Sequence, residues 1–230
     1  MKTIGLIGGM SWESSIEYYR IINQLVRKKL GGTHSAKSVM VSVDFAEIEI
    51  LQHEGRWQEA TTMLVKAARD LEAAGADFVV LCTNTMHKMA DAIIENTHIP
   101  FIHIADATAQ KVKTAGITTV GLLGTRFTMQ EDFYKKRLTD KYRLDVLIPE
   151  VEDRLFVHKV IYDELVKGSI VPESKKGFIA IINKLVSRGA QGIILGCTEI
   201  GLLVNEKDCP VKLFDTTQIH AEAAVDLALR

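Results

Sequence analysis

Two stretches of this 230-residue chain repeat each other with one informative difference. Gly75-Ala76-Asp77-Phe78-Val79-Val80-Leu81-Cys82-Thr83-Asn84-Thr85 aligns with Gly189-Ala190-Gln191-Gly192-Ile193-Ile194-Leu195-Gly196-Cys197-Thr198-Glu199, which sets Thr83 opposite Cys197. Each stretch reads as a buried parallel strand, an apolar run bounded by turn signals and ending in small polar residues. In open α/β sheets, ligands bind just beyond the carboxyl ends of such strands. The repeat therefore predicts two polar tips at equivalent places in two halves, one a thiol and the other a hydroxyl.

The rest of the chain repeats in the same order. Thr3-Ile4-Gly5-Leu6-Ile7-Gly8-Gly9 returns as Thr119-Val120-Gly121-Leu122-Leu123-Gly124-Thr125, and Pro100-Phe101-Ile102 as Pro210-Val211-Lys212. Gly5 and Gly121 lie 116 positions apart, Gly75 and Gly189 114, and Pro100 and Pro210 110. Between the strands, helical periodicity covers Trp12 to Leu30, with Ile16, Tyr19, Ile22, Leu25 and Val26 as the apolar stripe. Further helices read from Trp57 to Ala74, Met86 to Glu95, Arg154 to Lys167 and Ser174 to Arg188. Other strands read over Val39 to Phe45, Phe101 to Ile104 and Leu144 to Leu147. Strands alternating with helices imply parallel sheets and right-handed crossovers. The expected fold is α/β: two pseudo-symmetric doubly wound parallel-sheet domains, with the active site in the cleft between them. The boundaries read as 1–114, completed by a C-terminal helix over 217–230, and 115–216.

Composition narrows the function. Lys and Arg number 28 against 29 Asp and Glu, with no basic block, which argues against a nucleic-acid partner. No apolar run reaches the roughly eighteen residues of a membrane span, and the N-terminal apolar run reads as a first strand rather than a signal peptide. A cytoplasmic protein acting on a small molecule is expected. Cys82, Cys197 and Cys209 are too few for a disulfide framework and lack zinc spacing. Cys209, before a proline, reads as structural. His34, His53, His98, His103, His158 and His220 form no metal-like spacing, so no metal is expected. Gly8-Gly9 is a fragment of a dinucleotide fingerprint without its third glycine or later acid, and nucleotide binding is rejected.

The strand-end motifs Thr83-Asn84-Thr85-Met86-His87 and Gly196-Cys197-Thr198-Glu199 resemble the aspartate/glutamate racemase family. The opening Gly8-Gly9-Met10-Ser11-Trp12-Glu13-Ser14 and the closing Asp215-Thr216-Thr217-Gln218-Ile219-His220-Ala221 are similar to its aspartate racemase branch. That resemblance spans essentially the whole chain. It implies a cofactor-independent enzyme, and relatives suggest a homodimer. It also implies that a cysteine from each domain faces a shared amino-acid substrate. Racemisation without pyridoxal phosphate removes the Cα proton from one face and returns one to the other, and a thiol with a free pKa near 8.5 suits both tasks.

The chain departs from the pattern at Thr83. Side chains alternate along a strand, so Cys82 points away from the tip that Thr83 occupies and reads as a packed small hydrophobe. A threonine hydroxyl is a poor base but can return a proton to a carbanion-like centre. The resemblance puts the second-domain cysteine on the α-hydrogen of the L-enantiomer. Cys197, as thiolate, is then expected to take the proton from L-aspartate or L-glutamate, while Thr83 returns one from the opposite face. Free enantiomers have equal energies in water. Any bias toward L must therefore be kinetic, or an exchange on one face that aborts before inversion.

Further candidates carry two readings. Asn84, Thr85 and Thr198 follow the tips and bind the α-carboxylate and ammonium, or merely cap helices. Met10 and Ser11 lead into the first helix, where capping also accounts for Ser11. Gln52 lies where the resemblance puts the side-chain carboxylate pocket, although a solvated helix residue fits there too. Lys167 is a candidate for the substrate's distal carboxylate, but a lysine near a helix C-terminus is ordinary. Glu199 completes the second tip and is a further substrate-binding candidate. His87 steers the first tip, or caps or packs. Two other functions compete: a single-cysteine decarboxylase or cis-trans isomerase of dicarboxylates in the same superfamily, and a non-catalytic two-lobed binding protein.

Overall fold

The computed structural model describes all 230 residues, Met1–Arg230. Its strands are β1 (Ile4–Gly8), β2 (Ser38–Ser42), β3 (Phe78–Leu81), β4 (Phe101–Ile102), β5 (Thr119–Gly124), β6 (Asp145–Leu147), β7 (Gly192–Gly196) and β8 (Lys212–Asp215). They form two four-stranded parallel sheets, ordered β2-β1-β3-β4 and β6-β5-β7-β8. The helices are α1 (Trp12–Leu30), α2 (Phe45–His53), α3 (Trp57–Ala73), α4 (Ala90–Glu95), α5 (Ile104–Thr114), α6 (Arg126–Gln130), α7 (Asp132–Lys136), α8 (Val151–Asp163), α9 (Pro172–Ser187), α10 (Ile200–Leu203) and α11 (Thr216–Ala228). This is the doubly wound α/β architecture that the repeat implied. In each sheet the strand order reverses between the first strand and the third, the point at which such folds bind ligands.

The chain divides into two units, Met1–His103 with His220–Arg230, and Ile104–Ile219. This moves the first boundary from the expected 114/115 to 103/104. The reason is α5: its Asp106 accepts bonds from Arg137 (2.6 and 2.9 Å) and Lys141 (2.8 Å), and α5 packs on β8. α11 begins in the second unit and ends in the core of the first, so the second boundary falls inside the helix at Ile219/His220.

In the first unit, strand alternation sorts the core. Ile4, Leu6, Phe78, Val80 and Cys82 face α1 and α11, whereas Ile7, Val79 and Leu81 face the other way, toward α2, α3 and α4. Cys82 is fully buried, as alternation required, and burial pushes its thiol far above the ordinary range. On α1 the buried positions are Ser14, Ser15, Tyr18, Ile21, Ile22 and Val26. Ile16 and Tyr19, expected in the apolar stripe, are exposed. The stripe is rotated so that Ser14 and Ser15 turn inward, where Ser15 Oγ accepts from the Gly9 N–H at the β1 tip. β2 and β4 are also shorter than the sequence suggested. Asp44 caps α2 through a bond from the Ala46 N–H (3.0 Å) and so takes Phe45 into a helix, while Ile104 opens α5.

His220 is buried in the first unit. Its Nε2 donates to the Ile102 carbonyl (2.8 Å), which leaves Nδ1 to accept from the Tyr18 hydroxyl (2.9 Å). Burial holds its pKa down at about 4. An unfolded histidine titrates near 6.5, so below that pH the unfolded chain takes up a proton that the native state refuses. Stability from this group is complete above pH 6.5 and is lost as pH falls toward 4. Denaturant titrations at pH 7 and pH 5 are expected to differ by about 2 kcal/mol from His220 alone. In His220→Gln the difference shrinks by that amount.

Candidate active site

In the first unit, the tips of β1 and β3 lie side by side in the sheet. The β1 tip is built on Gly9, whose φ of +91° favours glycine and where a Cβ would sit 2.1 Å from the Val43 carbonyl oxygen. Its N–H donates to Ser15 Oγ (2.8 Å), and the hydroxyls of Ser14 and Ser15 donate to the Ser11 carbonyl (3.0 and 2.9 Å). Ser11 caps α1, accepting from the Ser14 N–H, so the capping reading of Ser11 is realised. Met10 is buried in the core cluster beside it.

At the β3 tip, Thr83 is 8 % exposed, and Asn84 and Thr85 are buried at the start of the short 3₁₀ turn Thr85–Met89. Gln52 is a buried residue rather than a solvated one. It reaches this turn from α2, with Nε2 2.9 Å from Met86 Sδ. The first unit therefore gathers Met10, Ser11, Gln52, Thr83, Asn84 and Thr85 at one end of its sheet.

In the second unit, Cys197 follows β7 and is also 8 % exposed. Its thiol donates to Glu199 Oε2 (2.9 Å), the same oxygen that accepts from Thr198 Oγ1 (2.9 Å). Burial, then the nearby charge of Glu199 and the hydrogen bond to it, push the Cys197 thiol well above its ordinary value. The thiolate expected of Cys197 in catalysis must therefore form against both influences. Burial weighs most, and Glu199 adds to it: a carboxylate beside a thiol opposes a second negative charge and accepts the thiol hydrogen in a hydrogen bond.

Sequence reasoning missed the brace behind this tip. Thr216 Oγ1 donates to the Leu195 carbonyl (2.8 Å) and Thr217 Oγ1 to that of Thr198 (3.3 Å), which ties the start of α11 to both sides of Cys197. Asp215 Oδ1 caps α11 through the N–H groups of Thr217 (2.8 Å) and Gln218 (3.2 Å). A Cβ on Gly201 would stand 2.5 Å from Asp215 Oδ2. The closing motif Asp215-Thr216-Thr217 was the available signal. Lys167 is exposed on the 3₁₀ turn Leu165–Lys167, which packs on α10 directly after Glu199. It belongs to the same unit as Cys197.

Compared with known proteins, residues 7–224 match the family described as Asp/Glu/Hydantoin racemase. A proposed Asp/Glu racemase from Yersinia pestis has a crystal structure 55 % identical in sequence, covering 100 % of both chains with a TM-score of 0.93. An aspartate racemase homologue from Pyrococcus horikoshii OT3 is 33 % identical, covers 100 % of both chains and has a TM-score of 0.86. The broad specificity amino-acid racemase RacX of Bacillus subtilis (strain 168) is 22 % identical over 98 % of each chain.

Proposed function

We propose that this chain, which belongs to the Asp/Glu/hydantoin racemase family and is therefore an isomerase, racemises L-aspartate, L-glutamate or both without pyridoxal phosphate. The observation that carries this reading is the Cys197 thiol held 2.9 Å from the Glu199 carboxylate on a strand tip whose counterpart in the other half bears Thr83. Glu199 takes the Cys197 proton as substrate binds, and the resulting thiolate removes the α-hydrogen of the L-enantiomer. The Thr83 hydroxyl returns a proton to the opposite face; solvent then reprotonates Thr83 and takes up the proton left on Glu199, which restores the starting forms. The reading requires both tips to reach one substrate. Thr83 and Cys197 are thus the catalytic pair. Met10, Ser11, Asn84, Thr85 and Thr198 hold the α-carboxylate and ammonium, while Gln52 and Lys167 face the distal carboxylate. The choice of aspartate and glutamate is supported by the Yersinia pestis and Pyrococcus horikoshii relatives.

The enzyme works as a cytoplasmic homodimer in this reading. Trp12, Ile16 and Tyr19, 62, 52 and 54 % exposed, recur at helical spacing on one face of α1, an apolar stripe suited to a second copy. No helix is long and apolar enough to cross a membrane.

Incubation with L-aspartate and L-glutamate, followed by chiral chromatography, tests the function. Appearance of the D-enantiomer supports it. A single thiol at the tips also suits decarboxylation, so release of carbon dioxide from a malonate without amino-acid inversion replaces the racemase reading with a decarboxylase.

A further inference from the structure

His87 lies in the turn after the β3 tip and is 2 % exposed. Its Nδ1 is 2.7 Å from the carbonyl oxygen of Thr83. A carbonyl only accepts, so Nδ1 carries the proton, whether the ring is neutral or charged. The backbone around the tip is tied as well: Thr83 N–H donates to Leu81 O (2.9 Å), and His87 N–H donates to Asn84 O (3.0 Å). The ring is clamped in its turn. His103, Phe101 and His220 stand against it, with ring centroids at 4.6, 5.4 and 5.8 Å. His220 cannot swing, because its two nitrogens are engaged by Ile102 and Tyr18.

A histidine that merely fills a core aims its nitrogens wherever they are satisfied. This one donates to the main chain of the residue that returns the proton. Threonine is stiff at χ1, so the direction of its hydroxyl follows the backbone that carries it. A misplacement near 1 Å at a reacting group costs about 10²-fold in rate. We propose that His87 is a positioning residue: its Nδ1–H fixes the Thr83 peptide so that the Thr83 hydroxyl is aimed at the substrate Cα. This rests on the role given to Thr83 above.

Three substitutions separate that role from packing. The amide nitrogen of Asn in His87→Asn falls near the place of Nδ1, whereas that of Gln in His87→Gln falls near Nε2, and His87→Leu donates nothing. Racemisation from L is expected to fall about 10²-fold in kcat in the Leu and Gln variants, with KM unchanged, and to stay within a few-fold of the parent in His87→Asn. The Cys197 face needs no help from His87. Exchange of the L-substrate α-hydrogen in heavy water is therefore expected at the parent rate in all three. Equal losses in the Asn and Leu variants, or full racemisation in His87→Leu, overturn the proposal. So does a loss of exchange in step with racemisation. Thr83→Ala is run in parallel. If it racemises normally, the Thr83 reading fails and takes this one with it. If it is inactive in racemisation while His87→Leu is not, only the His87 inference fails. Should the Leu variant not fold, the comparison of Asn with Gln decides.

Discussion

Cys197→Ser is expected to lower racemisation of the L-substrate by about 10³-fold, within the range for loss of a general base. Uptake of α-deuterium from L falls with it. Serine keeps nearly the same shape, and its hydroxyl can still donate to Glu199 Oε2 as the thiol does at 2.9 Å. What it cannot supply is the acidity. A thiol ionises near 8.5 in water; burial and Glu199 raise that value in this site and would raise that of a hydroxyl in the same place as well. An alcohol lies far beyond the thiol. Because the substitution preserves the hydrogen bond and nearly the volume, thermal unfolding should change little. Chiral chromatography alongside a thermal melt checks both halves. Retention of more than a tenth of the parent rate would contradict the assignment.

Glu199→Gln is the second large effect, and it separates geometry from proton transfer. The Gln amide oxygen can still accept from Cys197 and Thr198, so the tip keeps its shape. It cannot take a proton at any ordinary pH. A fall of about 10²–10³ in kcat near pH 7 is expected. The pH dependence carries the sign. Both the charge of Glu199 and the hydrogen bond to it raise the Cys197 pKa, so removing the carboxylate lowers it. Solvent then does slowly what Glu199 did, and the variant's rate should climb as pH is raised toward alkaline values, more steeply than the parent's. A variant with the same loss at every pH would instead indicate that Glu199 only holds the tip together.

The architecture was legible because it is written twice. Buried parallel strands carry continuous apolar runs, so β3 and β7 stood out, and helix α1 has the bounds that periodicity suggested. The errors share one cause. Ile16 and Tyr19 satisfy helical spacing as well as Tyr18 and Ile22 do. The face that turns inward is the one on which Ser15 Oγ accepts from the Gly9 N–H at the β1 tip. Likewise Asp44 and Ile104 start helices by capping and packing, which apolar patterning does not encode.

At the site, the positions of Thr83, Cys197 and their followers were readable from the repeat. The protonation of Cys197 was not. It depends on burial and on a meeting of Sγ with Glu199 Oε2 across a turn whose shape the four letters Gly196-Cys197-Thr198-Glu199 do not specify. The brace from Thr216 and Thr217 stayed hidden for a similar reason, since it joins residues some twenty positions apart.

The proposed chemistry pairs one thiol, Cys197, with one hydroxyl, Thr83. Since the overall equilibrium constant between free enantiomers is one, the two faces cannot differ in the final mixture, only in how fast each exchanges hydrogen. Proton NMR in heavy water, started separately from the L- and the D-enantiomer, reads this directly. The L-substrate is predicted to lose its α-proton signal much faster than it inverts, and much faster than the D-substrate loses its own. Equal exchange rates from the two enantiomers would rule out an asymmetric Cys197–Thr83 pair.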